Sequence, residues 1–241
     1  RDSVDDVMAG VDYVFHAAAL KQVPTCEFFP MQATQTNVIG SQNIINSAIS
    51  HEVSKVISLS TDKAVYPVNA LGITKALMEK VVQSTSRKIS QGKTILSLVR
   101  YGNVLFSRGS VIPLFLKQIR EKKPITVTEL EMTRFLLPLK EAIQLVGFAL
   151  KNGRQGDIFV CNAPSANIGD LAQALKNIFS SDSEIKIMGI RHGEKLHETL
   201  VSKEELLRSE DMGDYLRLSM DDRDLNYNKY LSEGDKKVIQ T

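Results

Sequence analysis

"KVISLSTDKAVYPVNALGITK", residues Lys55 to Lys75, is the stretch on which the fold turns. Its first part, KVISLS, is short and almost wholly apolar or small, the pattern of a strand buried on both faces. The strand runs straight into the triplet Thr61-Asp62-Lys63. Beyond it, LGITKALMEKVVQSTSRKI carries apolar residues at helical spacing, which predicts an amphipathic helix over 71–89. A strand, a polar turn and a helix are two-thirds of a strand–helix–strand unit. In an open α/β sheet the C-terminal end of such a strand is where ligands are held.

The pattern repeats on either side. VDYVFHAAA reads as an earlier strand, MQATQTNVIGSQNIINSAISH as the helix between, and TILSLVRYG as a third strand. Strands that are nearly all apolar, alternating with helices, predict a parallel sheet covered on both faces. From about Gly109 the rhythm changes. SVIPLFLKQIREKK reads as helix, ITVTE as a short strand, and KEAIQLVGFALKNG as a helix closed by Gly153. GDIFVCNA, IGDLAQALKNIFSS and EIKIMGI read as strand, helix and strand, and the charged tail from Ser202 as irregular apart from a short helix at Lys203 to Ser209. The expected fold is α/β: a Rossmann-type doubly wound parallel sheet in residues 1–108, with 109–241 forming mainly a smaller mixed lobe and the chain crossing between them.

A dinucleotide fold needs a glycine-rich turn after its first strand, where backbone amides approach a pyrophosphate. No GxGxxG or GxxGxxG occurs here. The opening RDSVDDVMAG leads at once into a strand, as if the first strands lay upstream of Arg1, so a piece of a longer protein is expected, with its sheet incompletely covered.

The 241 residues, 43% hydrophobic, can bury a sizeable core. A net charge of +2 with interspersed signs gives no reason to expect nucleic acid as a partner. Cys26 and Cys161 stand far apart with no CxxC, so neither a disulfide framework nor structural zinc is expected, and a reducing cytoplasm is the default. No apolar run approaches the ~18–20 residues that would span a bilayer, and the charged opening is no signal peptide. His192 and His197 lack an evident third ligand, so no metal is expected.

Six motifs in register, HAAALKQVP, TNVIGSQN, STDKAVYPVNALGITK, RYGNVLFSRGSVIP, MTRFLL and RHGEKLHE, carry a resemblance that runs from Val11 to about Tyr230. The chain resembles extended short-chain dehydrogenase/reductases that act on nucleotide sugars. More narrowly it resembles their polysaccharide-biosynthesis branch, with its capsule and O-antigen inverting UDP-N-acetylglucosamine 4,6-dehydratases, often named UDP-glucose 4-epimerases. The resemblance implies bound NADP or NAD, a UDP-sugar substrate and a homo-oligomer.

Residue by residue, it assigns chemistry to Thr61, Asp62 and Lys63: Thr61 to the reacting sugar hydroxyl, Asp62 as acid, Lys63 as base. A lysine serves as base only if its pKa falls toward neutrality, which burial or the nearby Lys75 would achieve. Ala17, Ala18, Ala19, Asn37, Lys75 and Tyr101 are implied near the cofactor, although the alanines are equally read as packing. Arg134 and Arg191 would grip the pyrophosphate. Asn103 lies near sugar and phosphate, Glu194 near the uridine ribose, and Lys21, Arg108 and Ser110 complete the expected pocket.

One position departs from the superfamily. Where it places the tyrosine that takes the 4-hydroxyl proton, this chain has Leu71. The capsule-type branch also has an apolar residue there, so the tyrosine's absence looks like a subfamily trait. Neither Tyr66 nor Tyr101 has the spacing to replace it. The implied reaction is a 5-inverting 4,6-dehydration through a transient 4-keto sugar. The alternatives are UDP-hexose 4-epimerisation and a non-catalytic nucleotide-sugar binding protein.

Overall fold

A computed structural model describes residues 2–89 and 93–220; the end of the expected second lobe lies outside them. The first half comprises α1 (Asp2–Met8), β1 (Tyr13–His16), α2 (Val23–Phe28), α3 (Pro30–Thr34), a π-helical turn (Gln35–Ile39), α4 (Gly40–Ser50), β2 (Lys55–Thr61), a 3-10 turn (Asp62–Ala64), α5 (Ala70–Lys88) and β3 (Ile95–Tyr101). Then come β4 (Asn103–Val104), α6 (Val111–Arg120), β5 (Ile125–Val127), β6 (Thr133–Leu137), α7 (Leu139–Asn152), β7 (Ile158–Cys161), β8 (Ser165–Asn167) and α8 (Ile168–Ile178). The last elements are β9 (Ile185–Ile187), α9 (Lys203–Leu206), β10 (Ser209–Asp211) and β11 (Tyr215–Leu218).

Six strands make the main sheet in the order β1-β2-β3-β7-β11-β10. The first four run parallel, as continuous apolar strands separated by helices require. Alternation along each strand feeds two cores. Val56, Leu96, Leu98, Ile158 and Val160 join Ile45, Met78 and Val82 beneath α4 and α5. Their neighbours Ile57, Val99, Phe159 and Cys161 join Leu137, Ala142, Leu145 and Ala149 under α7. Helices on both faces of a mostly parallel sheet make the expected doubly wound arrangement. Among the described residues β1 is an edge strand, and its Tyr13 and Phe15 are about half exposed.

After β3 the chain builds a separate lobe from the sheets β4-β6-β8 and β5-β9. Its own core holds Ile112, Phe115, Ile125, Val127, Met132, Ile168, Ala172 and Leu175. The chain returns to the main sheet through α7 and β7 before entering the lobe again.

The tail corrects one expectation. The short helix expected at Lys203 to Ser209 is present as α9, opened by a capping box in which Ser202 and Glu205 satisfy each other's backbone N–H groups, but the described residues after it, up to 220, are not irregular. Strands β10 and β11 then extend the main sheet antiparallel to β7. Strands of three and four residues carry almost no periodic signal. What fixes β11 is burial of Leu216 and Leu218 against one core, and contact of Tyr215 with Phe148, ring centroids 4.4 Å apart, on the other. The helix α2 also escaped the pattern, although Pro24 in its first turn is a start signal.

Candidate active site

The site is built where β2 meets α5. Thr61 ends β2 in extended backbone, and its side chain accepts a 3.4 Å hydrogen bond from the Lys63 amide, starting the 3-10 turn. Asn69 caps α5 by accepting 2.8 Å from the Gly72 amide, while its own amide group donates 2.7 Å to the Gly193 carbonyl. Between these caps the helix presses on the turn. A Cβ at Gly72 would lie 2.2 Å from the Lys63 carbonyl oxygen and 3.1 Å from Pro67 Cβ. Gly72→Ala is therefore expected to displace the Asp62–Lys63 turn and destabilise the fold by about 1–3 kcal/mol, read as a shift in the urea midpoint.

Thr61, Asp62 and Lys63 are in mutual contact. Thr61 Oγ1 donates to Asp62 Oδ1 at 2.8 Å, and Lys63 Nζ donates to the same oxygen at 3.0 Å. Asp62 is fully buried, and its Oδ2 has no hydrogen-bond partner among the described residues. On that side stands Gly102, whose missing Cβ would come within 3.4 Å of Oδ2 and 2.6 Å of Phe135 Cβ. Two residues absent from the sequence expectation complete the cluster: Glu198 Oε1 lies 3.3 Å from Lys63 Nζ, and Glu198 Oε2 lies 3.3 Å from Lys195 Nζ. Lys195 also donates 2.6 Å to the Val65 carbonyl. Both belong to the motif RHGEKLHE, whose charge spacing was legible but whose burial was not.

The electrostatics reverse the expectation for the lysines. Burial alone would push the Lys63 ammonium down, and the nearby Arg134 works the same way. The carboxylates of Asp62 and Glu198 outweigh both and hold Lys63 above its ordinary value. Lys75 is the lysine that falls, to about 8, because burial dominates and Glu79 only partly opposes it. Its Nζ donates 2.8 Å to the Leu59 carbonyl. His16, at the end of β1, is pushed down to about 4 by burial and by Lys75, and it contacts Ser41 Oγ at 2.7 Å.

Beneath the cluster lies a buried ion network. All five N–H groups of Arg100 are used: Nε and Nη2 on Glu79 at 3.1 and 2.7 Å, Nη1 and Nη2 on Glu205 at 2.9 and 3.0 Å, and Nη1 on the Leu200 carbonyl at 2.9 Å. Ser60 Oγ donates 2.5 Å to Glu79. Asn37 sits inside the π-helical turn, completely buried. Its Oδ1 accepts from the Leu20 amide at 2.9 Å, and its Nδ2 donates to the Leu20 carbonyl and Thr74 Oγ1, both at 3.1 Å. Asn37 thus pins the segment that follows Ala17, Ala18 and Ala19. Ala17 and Ala18 are exposed and Ala19 half-buried.

Leu71 does not face an empty acid position. It is buried against Cys26 and Ala33 between α2, α3 and α5. Tyr66, held at φ +46°, donates its hydroxyl to Glu204 at 2.8 Å, and Tyr101 packs into the core under α7.

The other expected residues spread around this centre. Arg134 donates to the carbonyls of Thr133 at 2.7 Å and Leu196 at 3.3 Å, close enough to Lys63 to act on its charge. Asn103 Oδ1, Ser110 Oγ and Glu194 Oε2 are buried without a hydrogen-bond partner among the described residues. Such atoms are costly unless a ligand supplies a donor. Arg191 is more than half exposed, 3.6 Å from Glu194. Lys21 Nζ reaches the Arg108 carbonyl at 3.0 Å, while Arg108 itself is exposed. His192 points to Glu27 at 3.3 Å and His197 to Thr133 at 3.0 Å, so the two histidines serve separate contacts.

A family model described as polysaccharide biosynthesis protein matches residues 1–220. A Rickettsia felis protein named UDP-glucose 4-epimerase is 58% identical over 236 residues, covering 98% of this chain and 69% of that relative. The solved structure described as Pen from Bacillus thuringiensis is 37% identical with a TM-score of 0.88, over 92% of this chain and 70% of that one. The dTDP-glucose 4,6-dehydratase DesIV from Streptomyces venezuelae, solved with NAD and TYD bound, shares the fold. It gives a TM-score of 0.76 at 20% identity, over 84% of this chain and 68% of that one.

Proposed function

The chain belongs to the polysaccharide biosynthesis protein family, and from that premise we propose that it is a nucleotide-sugar-modifying enzyme, an NAD(P)-dependent 5-inverting UDP-N-acetylglucosamine 4,6-dehydratase. The observation that carries this reading is the Asp62–Lys63 contact: a fully buried carboxylate with one oxygen open, 3.0 Å from a lysine, at the C-terminal mouth of a central strand. The exposed Ala17 and Ala18 after β1, the Leu20 backbone that Asn37 pins beyond them, and the buried Lys75 fit a dinucleotide lying across the strand ends. When bound, that cofactor supplies hydride removal at C4 of the sugar and hydride return at C6.

The protein's own residues handle protons. At rest the pair is ammonium and carboxylate. Moving one proton from Lys63 Nζ to Asp62 Oδ1 across their 3.0 Å contact makes an amine and a carboxylic acid together. In that form Lys63 takes the C5 proton, acidified by the C4 ketone, and Asp62 gives its proton to the C6 oxygen, which leaves as water. A group on the face opposite Lys63 then protonates C5 as the product forms, which inverts that centre. Thr61 Oγ1, already bonded to Asp62, orients the 4-hydroxyl, whose proton passes to water as the ketone forms and is balanced by the proton later delivered to C5. Arg134, Arg191 and the open Asn103 Oδ1, Ser110 Oγ and Glu194 Oε2 atoms provide for the pyrophosphate, sugar and ribose.

A second reading, UDP-hexose 4-epimerase, has the names of the Rickettsia relatives in its favour. Against it, epimerisation gives Asp62 and Lys63 no task; the 4-hydroxyl proton must leave in either reaction, so Leu71 does not separate them. Incubation of the protein and nicotinamide dinucleotide with UDP-N-acetylglucosamine, and separately with UDP-glucose, followed by NMR of the products, separates the two. A 4-keto-6-deoxy sugar is expected from UDP-N-acetylglucosamine; galacto-configured sugar without loss of water would overturn the proposal in favour of epimerisation.

A further inference from the structure

The carboxylate of Glu198 has no task in that proton inventory, yet it is one of the most deeply placed charges in the protein, with a side chain 3% exposed. Its backbone is fixed from several sides. The segment before it is tied to α5 through the Asn69–Gly193 bond, to the residues after the 3-10 turn through Lys195 and the Val65 carbonyl, and to β6 through the bridge of Thr133 with His197. The Thr133 amide donates to the Leu196 carbonyl at 3.0 Å. Glu198 is thereby delivered to Lys63 from the far end of the sequence, and the charges alternate in contact: Asp62, Lys63, Glu198, Lys195.

We infer that Glu198 is a positioning residue that locks Lys63 in its ammonium form at rest, so that the amine needed for C5 proton abstraction appears only when bound substrate weakens the Lys63–Glu198 contact. The role in catalysis rests on the dehydratase reading; the lock itself is a property of the protein without nucleotide. The groups facing Lys63 are Asp62 and Glu198, which favour the ammonium, and Arg134, which opposes it; facing Glu198 are Lys63 and Lys195. The sign follows. An anion beside Lys63 raises the pH at which the amine appears, so neutralising it brings the amine out at lower pH.

The test measures the pH dependence of Lys63 acetylation by trace acetic anhydride, quantified by mass spectrometry, on the protein without nucleotide. In Glu198→Gln the midpoint is expected to fall by about one pH unit, and Glu198→Asp to stay nearer the parent. Lys195→Met, which leaves Glu198 to Lys63 alone, moves the midpoint up and serves should the glutamine variant fail to fold. An unchanged midpoint in both Glu198→Gln and Lys195→Met overturns the inference, as does a rise in Glu198→Gln. In turnover, the acidic limb of the kcat/KM profile of Glu198→Gln, which reports the enzyme before substrate binds, moves down by the same amount, which a merely structural residue would not cause. A shifted midpoint with no deoxy sugar formed by the parent protein leaves the lock standing and removes the dehydratase reading.

Discussion

Lys63→Ala and Lys63→Arg are both expected to lose water elimination by about 10²–10⁴-fold, the contribution of a positioned general base. The pair of variants separates base from cation. Alanine leaves the fully buried Asp62 and the 3%-exposed Glu198 side chain without their shared ammonium, so some of its loss would reflect unpaired buried charge. Arginine keeps a cation between the two carboxylates but cannot shed its proton near neutral pH. If Lys63 is the base, arginine is as inactive as alanine while its urea midpoint stays closer to the parent's. The readouts are loss of the 4-keto-6-deoxy product and loss of solvent deuterium at C5. An arginine variant that eliminates water at the parent rate would remove Lys63 from the mechanism, and alanine retaining 4-epimerisation would favour the rival reading.

Arg100→Met is expected to have the largest effect on stability, about 3–5 kcal/mol, the range for removing one partner from a buried charge cluster. Arg100 is 2% exposed and spends all five donors on Glu79, Glu205 and the Leu200 carbonyl. Without it the Glu79 side chain, 5% exposed, keeps among the described residues only the Ser60 hydroxyl as a hydrogen-bond partner. For a chain of this size the loss corresponds to a fall of roughly 10 °C in Tm. Arg100→Lys should recover little of it, since one ammonium cannot serve two carboxylates and a carbonyl in a planar fork. Combining Arg100→Met with Glu79→Leu should recover a good part, because the cost lies in the stranded carboxylate. If the single variant melts as the parent does, the network contributes nothing net. The same cluster links tail and site: Glu205 caps α9 and clamps Arg100, and Glu79 moderates the depressed Lys75.

The amino-acid sequence alone determined the alternation of apolar strands with helices, and hence a parallel sheet covered on both faces. Binary pattern is a local property and survives without any knowledge of neighbours. It also put Thr61-Asp62-Lys63 at the C-terminal end of a buried strand, where open α/β sheets hold ligands; alone such a triplet reads as a solvated turn, and the six motifs in register carried the expectation of chemistry there. Tertiary structure alone decided which charges meet. Glu198 and Lys63 are distant in sequence, as are Arg100 and Glu205, and no spacing rule announces contacts made only when the last segment folds back over β6 and β3. For the same reason the lysine expected to be depressed, Lys63, is held up, while Lys75 falls to about 8. Burial and the sign of the nearest charge set those values, and both arise only once the chain has closed on itself.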